Sequence, residues 1–240
     1  MTKNVVEKID DWVKIKTILV SVSVKSGLGT FIPGLLGINP DITILSTGGT
    51  YSKIKEILGP DAQNTLKQVS DYTGQPETQG GLVKTLDFKI YLGLLTETYN
   101  TSHQDDLKRT HALPIDMVVV NLYPFSQTIA KGNVTLENAR GNIDIGGPTM
   151  LRAAAKNFIR VASVVDPQSY DDILELLKTK DGALGLEDRY ALASKAFEHT
   201  ARYDRAIADY LTGLSNKDVQ SCYKTGEYIC TQILKRSTKP

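Results

Sequence analysis

The stretch from Asn142 to Asn157 carries an acid, a pair of glycines and two cations at spacings that can build a site. Asp144 stands just ahead of Gly146-Gly147, Pro148 lies one step into a new helix, and the run that follows delivers Arg152 and Lys156 four residues apart on one face. Glycines let a backbone approach a ligand closely, and the amides that open a helix turn partial positive charge toward an anion. A plain helix start with surface cations has the same letters, so the choice falls to the rest of the chain.

Three other groups read in the same chemical direction. Ser23 and Lys25 stand where a β-branched run ends in Lys25-Ser26-Gly27. Thr47-Gly48-Gly49-Thr50 follows a short apolar run and precedes a helix, the strand, glycine turn and helix layout in which backbone amides and hydroxyls cradle a phosphate. Many strand-to-helix turns use glycine for geometry alone, so this loop leaves both readings open. Lys84 and Thr85 are the polar candidates of a long connection, and Asn121 and Tyr123 mark the carboxyl end of a buried strand, where open α/β sheets bind ligands. Core packing with a satisfied hydroxyl accounts equally well for Tyr123 taken alone.

The elements that must hold these residues alternate. Thr17 to Val24 is a strand, a short helix runs to about Leu36, Ile42 to Ser46 is a second strand, and Tyr51 to Leu58 is a helix closed by Gly59-Pro60. From Asp61 to Leu95 the pattern is irregular and reads as a long functional connection. A helix over Thr101 to Ala112, a strand over Met117 to Leu122, a short helix from Thr135, a strand over Arg160 to Val165, a helix from Asp166 to about Lys178 and a long one over Leu186 to Leu211 complete the order. His199 in that last helix reads as a packing residue.

Composition bounds what this can be. The chain has 240 residues, 41% hydrophobic and 23% charged, enough for a sizeable core. A net charge of +1 supplies no general basic field, which argues against nucleic acid and for a small anion held by local groups. Cys222 and Cys230 lack CxxC spacing and the three histidines are scattered, so neither a disulfide framework nor a metal site is expected. Met1 to Lys16 reads as a polar leader without an apolar signal core, and no run approaches a membrane span; a cytoplasmic protein is expected.

Seven ordered motifs then carry a resemblance: Ser21 to Leu28, Ser46 to Thr50, Val69 to Gly74, Val83 to Leu86, Asn121 to Phe125, Asn142 to Asn157 and Lys195 to Thr200. Over about Ile18 to Leu211 the chain resembles the IMP cyclohydrolase domain of the bifunctional purine-biosynthesis protein, AICAR formyltransferase/IMP cyclohydrolase. The resemblance implies an α/β, methylglyoxal-synthase-like three-layer fold with a mainly parallel central sheet flanked by helices. It implies closure of the purine ring of 5-formamidoimidazole-4-carboxamide ribotide to IMP and water, with no metal or organic cofactor. Ser23, Lys25, Thr47, Gly48, Gly49 and Thr50 would hold the phosphate with Lys84 and Thr85 nearby, and Asn121, Tyr123, Asp144 and Ile145 would face the base. Lys156 would move the proton, tuned by Asp144, Lys84 would stabilise the oxyanion, and Tyr123 and the Gly146-Gly147 amides would assist, with Arg152 on the same helix face. A homodimer, a separate formyltransferase as supplier and no membrane partner are the corresponding expectations.

The chain departs from the family pattern between residues 82 and 92. Leu82 replaces an Arg, and Asp87 and Tyr91 replace two histidines. Loss of an anion-binding Arg removes a charge-assisted hydrogen bond of roughly 1.5–3 kcal/mol, so weakened activity is expected, and a carboxylate at 87 is expected to add to it. Residues 17–212 are expected to form the domain and residues 213–240 a divergent tail with no formyltransferase domain. A nucleotide-sensing module of the same fold and methylglyoxal synthase are the alternative readings.

Overall fold

The computed structural model describes residues 5–75, 84–132, 134–224 and 226. Leu82 and Cys230 therefore lie outside the described residues. The described chain divides into two compact units, Met1–Pro124 with Asp144–Asp204, and Phe125–Ile143 with Arg205–Pro240.

In chain order the elements are β1 (Trp12–Lys14), β2 (Thr17–Val22), α1 (Leu28–Ile38), β3 (Thr43–Ser46), α2 (Gly48–Leu58), α3 (Ala62–Thr65), β4 (Leu66–Gln68), α4 (Val69–Thr73), α5 (Phe88–Leu95) and α6 (Thr101–Thr110). They continue with β5 (Met117–Asn121), α7 (Phe125–Ile129), α8 (Leu136–Gly141), α9 (Gly146–Lys156), β6 (Ala162–Val164), α10 (Tyr170–Thr179), β7 (Ala183–Gly185), α11 (Leu186–Thr212) and α12 (Asn216–Cys222).

Strands β2 and β5 are apolar along nearly their whole length because helices cover both faces of a parallel sheet. The sheet order is β4-β3-β2-β5-β6, and every pairing in it is parallel. Chain order therefore runs outward one way from β2 through β3 to β4 and the other way through β5 to β6. The reversal between β2 and β5 opens a crevice at their carboxyl ends, where Val22 lies opposite Asn121. On one face Phe31 and Tyr170 stack at 4.3 Å over a core that includes Ile18, Ile44 and Met117. Each such side chain contributes about 1.5–3 kcal/mol on burial. On the other, α9 packs against β5 and α5.

Three expectations need correction. Residues 12–14 of the supposed leader form β1, which pairs antiparallel with β7. The reason lies in Arg189, which is wholly buried and donates to the carbonyls of Asp10 and Asp11 as well as to Phe158 and Ile159. The connection from Asp61 to Leu95 contains an edge strand, β4, and three helices, α3, α4 and α5. Its short Leu-Lys-Gln strand has one apolar residue and so no periodic signal. Finally, α2 begins at Gly48, so the two glycines are its first turn rather than a loop ahead of it.

At the amino ends of the strands Asp116 accepts from the N–H groups of Lys16 and Thr17, each at 2.9 Å, and pairs with Arg160 at 3.3 Å. Burial raises the Asp116 pKa, and those two N–H bonds and the guanidinium pull it back. In the second unit Phe125 meets Tyr210 edge to face, and the side chain of Ser215 caps α12 reciprocally with Asp218. Residues 216–222, within the expected tail, are thus helical. Among the described residues no helix is long and apolar enough to cross a membrane.

Candidate active site

A pocket of about 320 Å³ lies at the carboxyl ends of β2, β3 and β5. The loop after β2 forms one wall. Asn121 holds it in place: its Oδ1 accepts from the Val24 N–H at 2.8 Å and its Nδ2 donates to the Val24 carbonyl at 3.0 Å. Ser23 N–H donates to the Asn121 carbonyl at 3.3 Å, and Lys25 Nζ bends back to the carbonyls of Val22 and Ser23 at 3.4 and 3.3 Å.

The start of α2 forms the floor. Thr47 adopts an extended backbone and its side chain makes no capping bond. Its Oγ1 instead pairs with Ser21 Oγ at 3.1 Å. Thr50 N–H donates to the Thr47 carbonyl at 3.1 Å, and the Gly48 and Gly49 amides open the helix at the pocket. Gly48 takes φ +47°, and a Cβ there would lie 3.7 Å from Lys84 Nζ, while one on Gly49 would lie 3.7 Å from Lys25 Cε. Two ammonium groups thus flank one helix N-terminus. Thr50, buried, both accepts from Val22 N–H and donates to the Val22 carbonyl, which docks α2 on β2.

Tyr123 and Asp144 line the pocket as well. Asp144 Oδ1 accepts from Gly147 N–H at 3.0 Å, the Tyr123 N–H also donates to the carboxylate, and Asp144 N–H donates to Tyr203 Oη at 2.7 Å. Burial raises the Asp144 pKa, and the two N–H donors offset part of the rise. The carboxylate is tucked over the start of α9 so closely that a Cβ on Gly147 would stand 2.5 Å from Asp144 Oδ2 and 2.7 Å from Leu122 Cδ2. Thr85 is buried against Gly146, whose missing Cβ makes room for the Thr85 hydroxyl.

Ser23, Lys25, Thr47, Gly48, Gly49, Thr50, Lys84, Asn121, Tyr123 and Asp144 are thus brought together. Two of them also bond the backbone around the pocket. Both ends of the Asn121 amide bond Val24, which holds the loop after β2 in place. The Thr50 hydroxyl is likewise committed to Val22.

The structure does not bring Arg152 and Lys156 to the pocket. Arg152 is exposed with its guanidinium 5.5 Å from the Phe197 ring centroid. Lys156 is exposed in the last turn of α9, ten residues from Gly146, which is about 15 Å of helix rise. Ile145 is exposed and does not line the pocket. Asp87 is buried and caps α5 by accepting from Lys89 N–H at 2.8 Å, so its carboxylate serves the helix. The Tyr91 hydroxyl lies beside Thr149 and is pushed up to about 12 by burial. Sequence reasoning missed Ser21 and Val22 as pocket walls and Tyr203 as the partner of Asp144. Only the position of Tyr203 shortly after the Lys195 to Thr200 motif pointed to it.

Comparison with known proteins gives the family. Residues 36–149 match the MGS-like domain family, and residues 154–237 match the family described as AICARFT/IMPCHase bienzyme. A solved structure, that of ForH, superposes with a TM-score of 0.65 at 34% identity, over 81% of this chain and 97% of that one. The chain belongs to the IMPCHase family of MGS-like domains. Proteins named bifunctional purine biosynthesis protein PurH are similar to it: that of Thermoanaerobacter sp. (strain X514) is 49% identical over 201 residues, 84% of this chain and 38% of its own length. That of Prochlorococcus marinus (strain MIT 9211) is 44% identical over 221 residues, 92% of this chain and 40% of its own. The chain spans about two fifths of the length of these relatives. The family match continues through residues 213–237, the stretch set apart above as a tail.

Proposed function

We propose that this chain is an IMP cyclohydrolase, closing the ring of 5-formamidoimidazole-4-carboxamide ribotide in purine biosynthesis. One arrangement carries the reading: Lys25 and Lys84 flank the uncapped start of α2 in the same pocket that holds the buried carboxylate of Asp144. Lys25 and the α2 amides hold the ribotide phosphate, and this fixes the base near Asp144 and Tyr123. The carboxamide nitrogen attacks the formyl carbon, a C–N bond forms, and the carbonyl pair moves to oxygen. Asp144, its pKa raised by burial, accepts the nitrogen's proton, and Lys84 stabilises the oxyanion. The oxygen then leaves as water, taking the proton that Asp144 returns and the formamido N–H proton, and the aromatic ring results. A formyltransferase supplies the substrate, and the chain works as a homodimer.

Ultraviolet absorbance of ring closure by the purified chain tests this, with Lys84→Ala and Asp144→Asn as controls. Turnover abolished in both controls is expected. That Lys156 is not among the pocket's lining residues favours one second reading, a nucleotide-binding module without chemistry. IMP bound at equilibrium with no turnover establishes that reading instead.

A further inference from the structure

We infer that Tyr203 is the positioning residue of Asp144, holding the turn that aims its carboxylate into the pocket; this rests on the cyclohydrolase reading above. Tyr203 lies on α11, far along the chain from Asp144, and is only 9% exposed. Its Oη accepts the Asp144 N–H at 2.7 Å. The Asp144 carboxylate is fixed separately, by the N–H groups of Gly147 and Tyr123. Backbone and side chain are therefore held from different directions, and Tyr203 is the hold that comes from a distant helix. The hydroxyl and the carboxylate also feel each other, since the Asp144 charge adds to the burial that raises the Tyr203 pKa. A Phe ring fills the same space, and it leaves a half-buried N–H with no acceptor at the residue that moves the proton.

The chemistry asks for this arrangement. A general base works only within hydrogen-bond reach of its proton, and small displacements cost rate steeply. The phosphate grip on Lys25 and α2 is made by other segments, so Tyr203 bears on the reacting end alone.

Tyr203→Phe decides the matter. The expected result is a fall in kcat of about tenfold with KM within twofold of wild type, and an acid limb of kcat moved down toward the ordinary aspartate range as water reaches the loosened turn. Unchanged kcat overturns the inference, and so does a parallel loss of kcat, KM and melting temperature, which marks a structural role only. Wild-type turnover tests the cyclohydrolase reading separately. Where wild type does not turn over, the Asp144 carboxyl pKa is measured by NMR with IMP bound in both proteins. A downward shift in Tyr203→Phe supports the positioning role and an identical pKa overturns it.

Discussion

Asn121 closes on Val24 with both ends of its amide, accepting at 2.8 Å and donating at 3.0 Å, so that the last residue of β5 staples the loop that leaves β2. Asn121→Ala releases two backbone groups at once. Each lost bond is worth about 1 kcal/mol, so a stability loss of about 1–3 kcal/mol is expected by urea denaturation. Affinity for ribose 5-phosphate falls with it, because Lys25 rides on the released loop.

The two pocket lysines divide the work. On the proposed reading Lys25→Ala removes a charge-assisted contact to phosphate, and ribose 5-phosphate binding is expected to weaken by about ten- to a hundredfold in calorimetry. Lys84→Ala is expected to lower kcat more than it raises KM. Lys156→Ala, about 15 Å along α9 from Gly146, keeps phosphate affinity within twofold. A large loss of phosphate affinity in that variant sinks this division.

Gly147→Ala probes the contact between carboxylate and helix. The added methyl needs space that Asp144 Oδ2 and Leu122 occupy, so Asp144 must move. A drop in kcat with retained phosphate binding is the expected outcome, measured side by side with wild type.

The pH dependence follows from the sign of the Asp144 shift. Its pKa is raised in the fold above the ordinary 3.8 by burial, so the folded chain holds that proton more tightly than the unfolded one. The stabilisation from this proton is full below 3.8 and is lost as pH rises through the raised value. Wild type therefore gains stability relative to Asp144→Asn as pH falls toward 3.8, which denaturation midpoints across the acid range measure. On the cyclohydrolase reading Asp144 is the base and must be ionised, so the acid limb of kcat is expected above 3.8.

Asp116 and Arg160 form a buried pair at the far end of the strands. Asp116→Ala strands the guanidinium and two backbone N–H groups, with a stability loss of about 3–5 kcal/mol expected from chemical denaturation. Ribotide binding by the folded fraction is unaffected.

Much of the fold was legible because its strongest signals are local. The β-branched runs at Thr17 and Met117 can be satisfied only by a sheet covered on both faces, and Gly48-Gly49 and Gly146-Gly147 mark the starts of α2 and α9. What stayed hidden depends on distant partners. Leu66 to Gln68 becomes a strand only because β3 offers an edge, and Trp12 to Lys14 only because β7 does. The direction of α9 is hidden in another way: spacing puts Arg152 and Lys156 on one face of the helix but does not say that neither lines the pocket. The carboxylate at Asp87 looked like a departure from an anion site, and the helix start it caps was not visible in the letters.

The staple between Asn121 and Val24 joins residues 97 positions apart. On a ribosome adding about 5–20 residues per second, the loop after β2 waits roughly 5–20 seconds for its clasp to be synthesised. During that interval β2 has β3 beside it and an open edge where β5 will insert. The nascent chain is thus most exposed to mispairing along the very seam that later becomes the pocket, and codon-level slowing between β3 and β5 would lengthen that exposure.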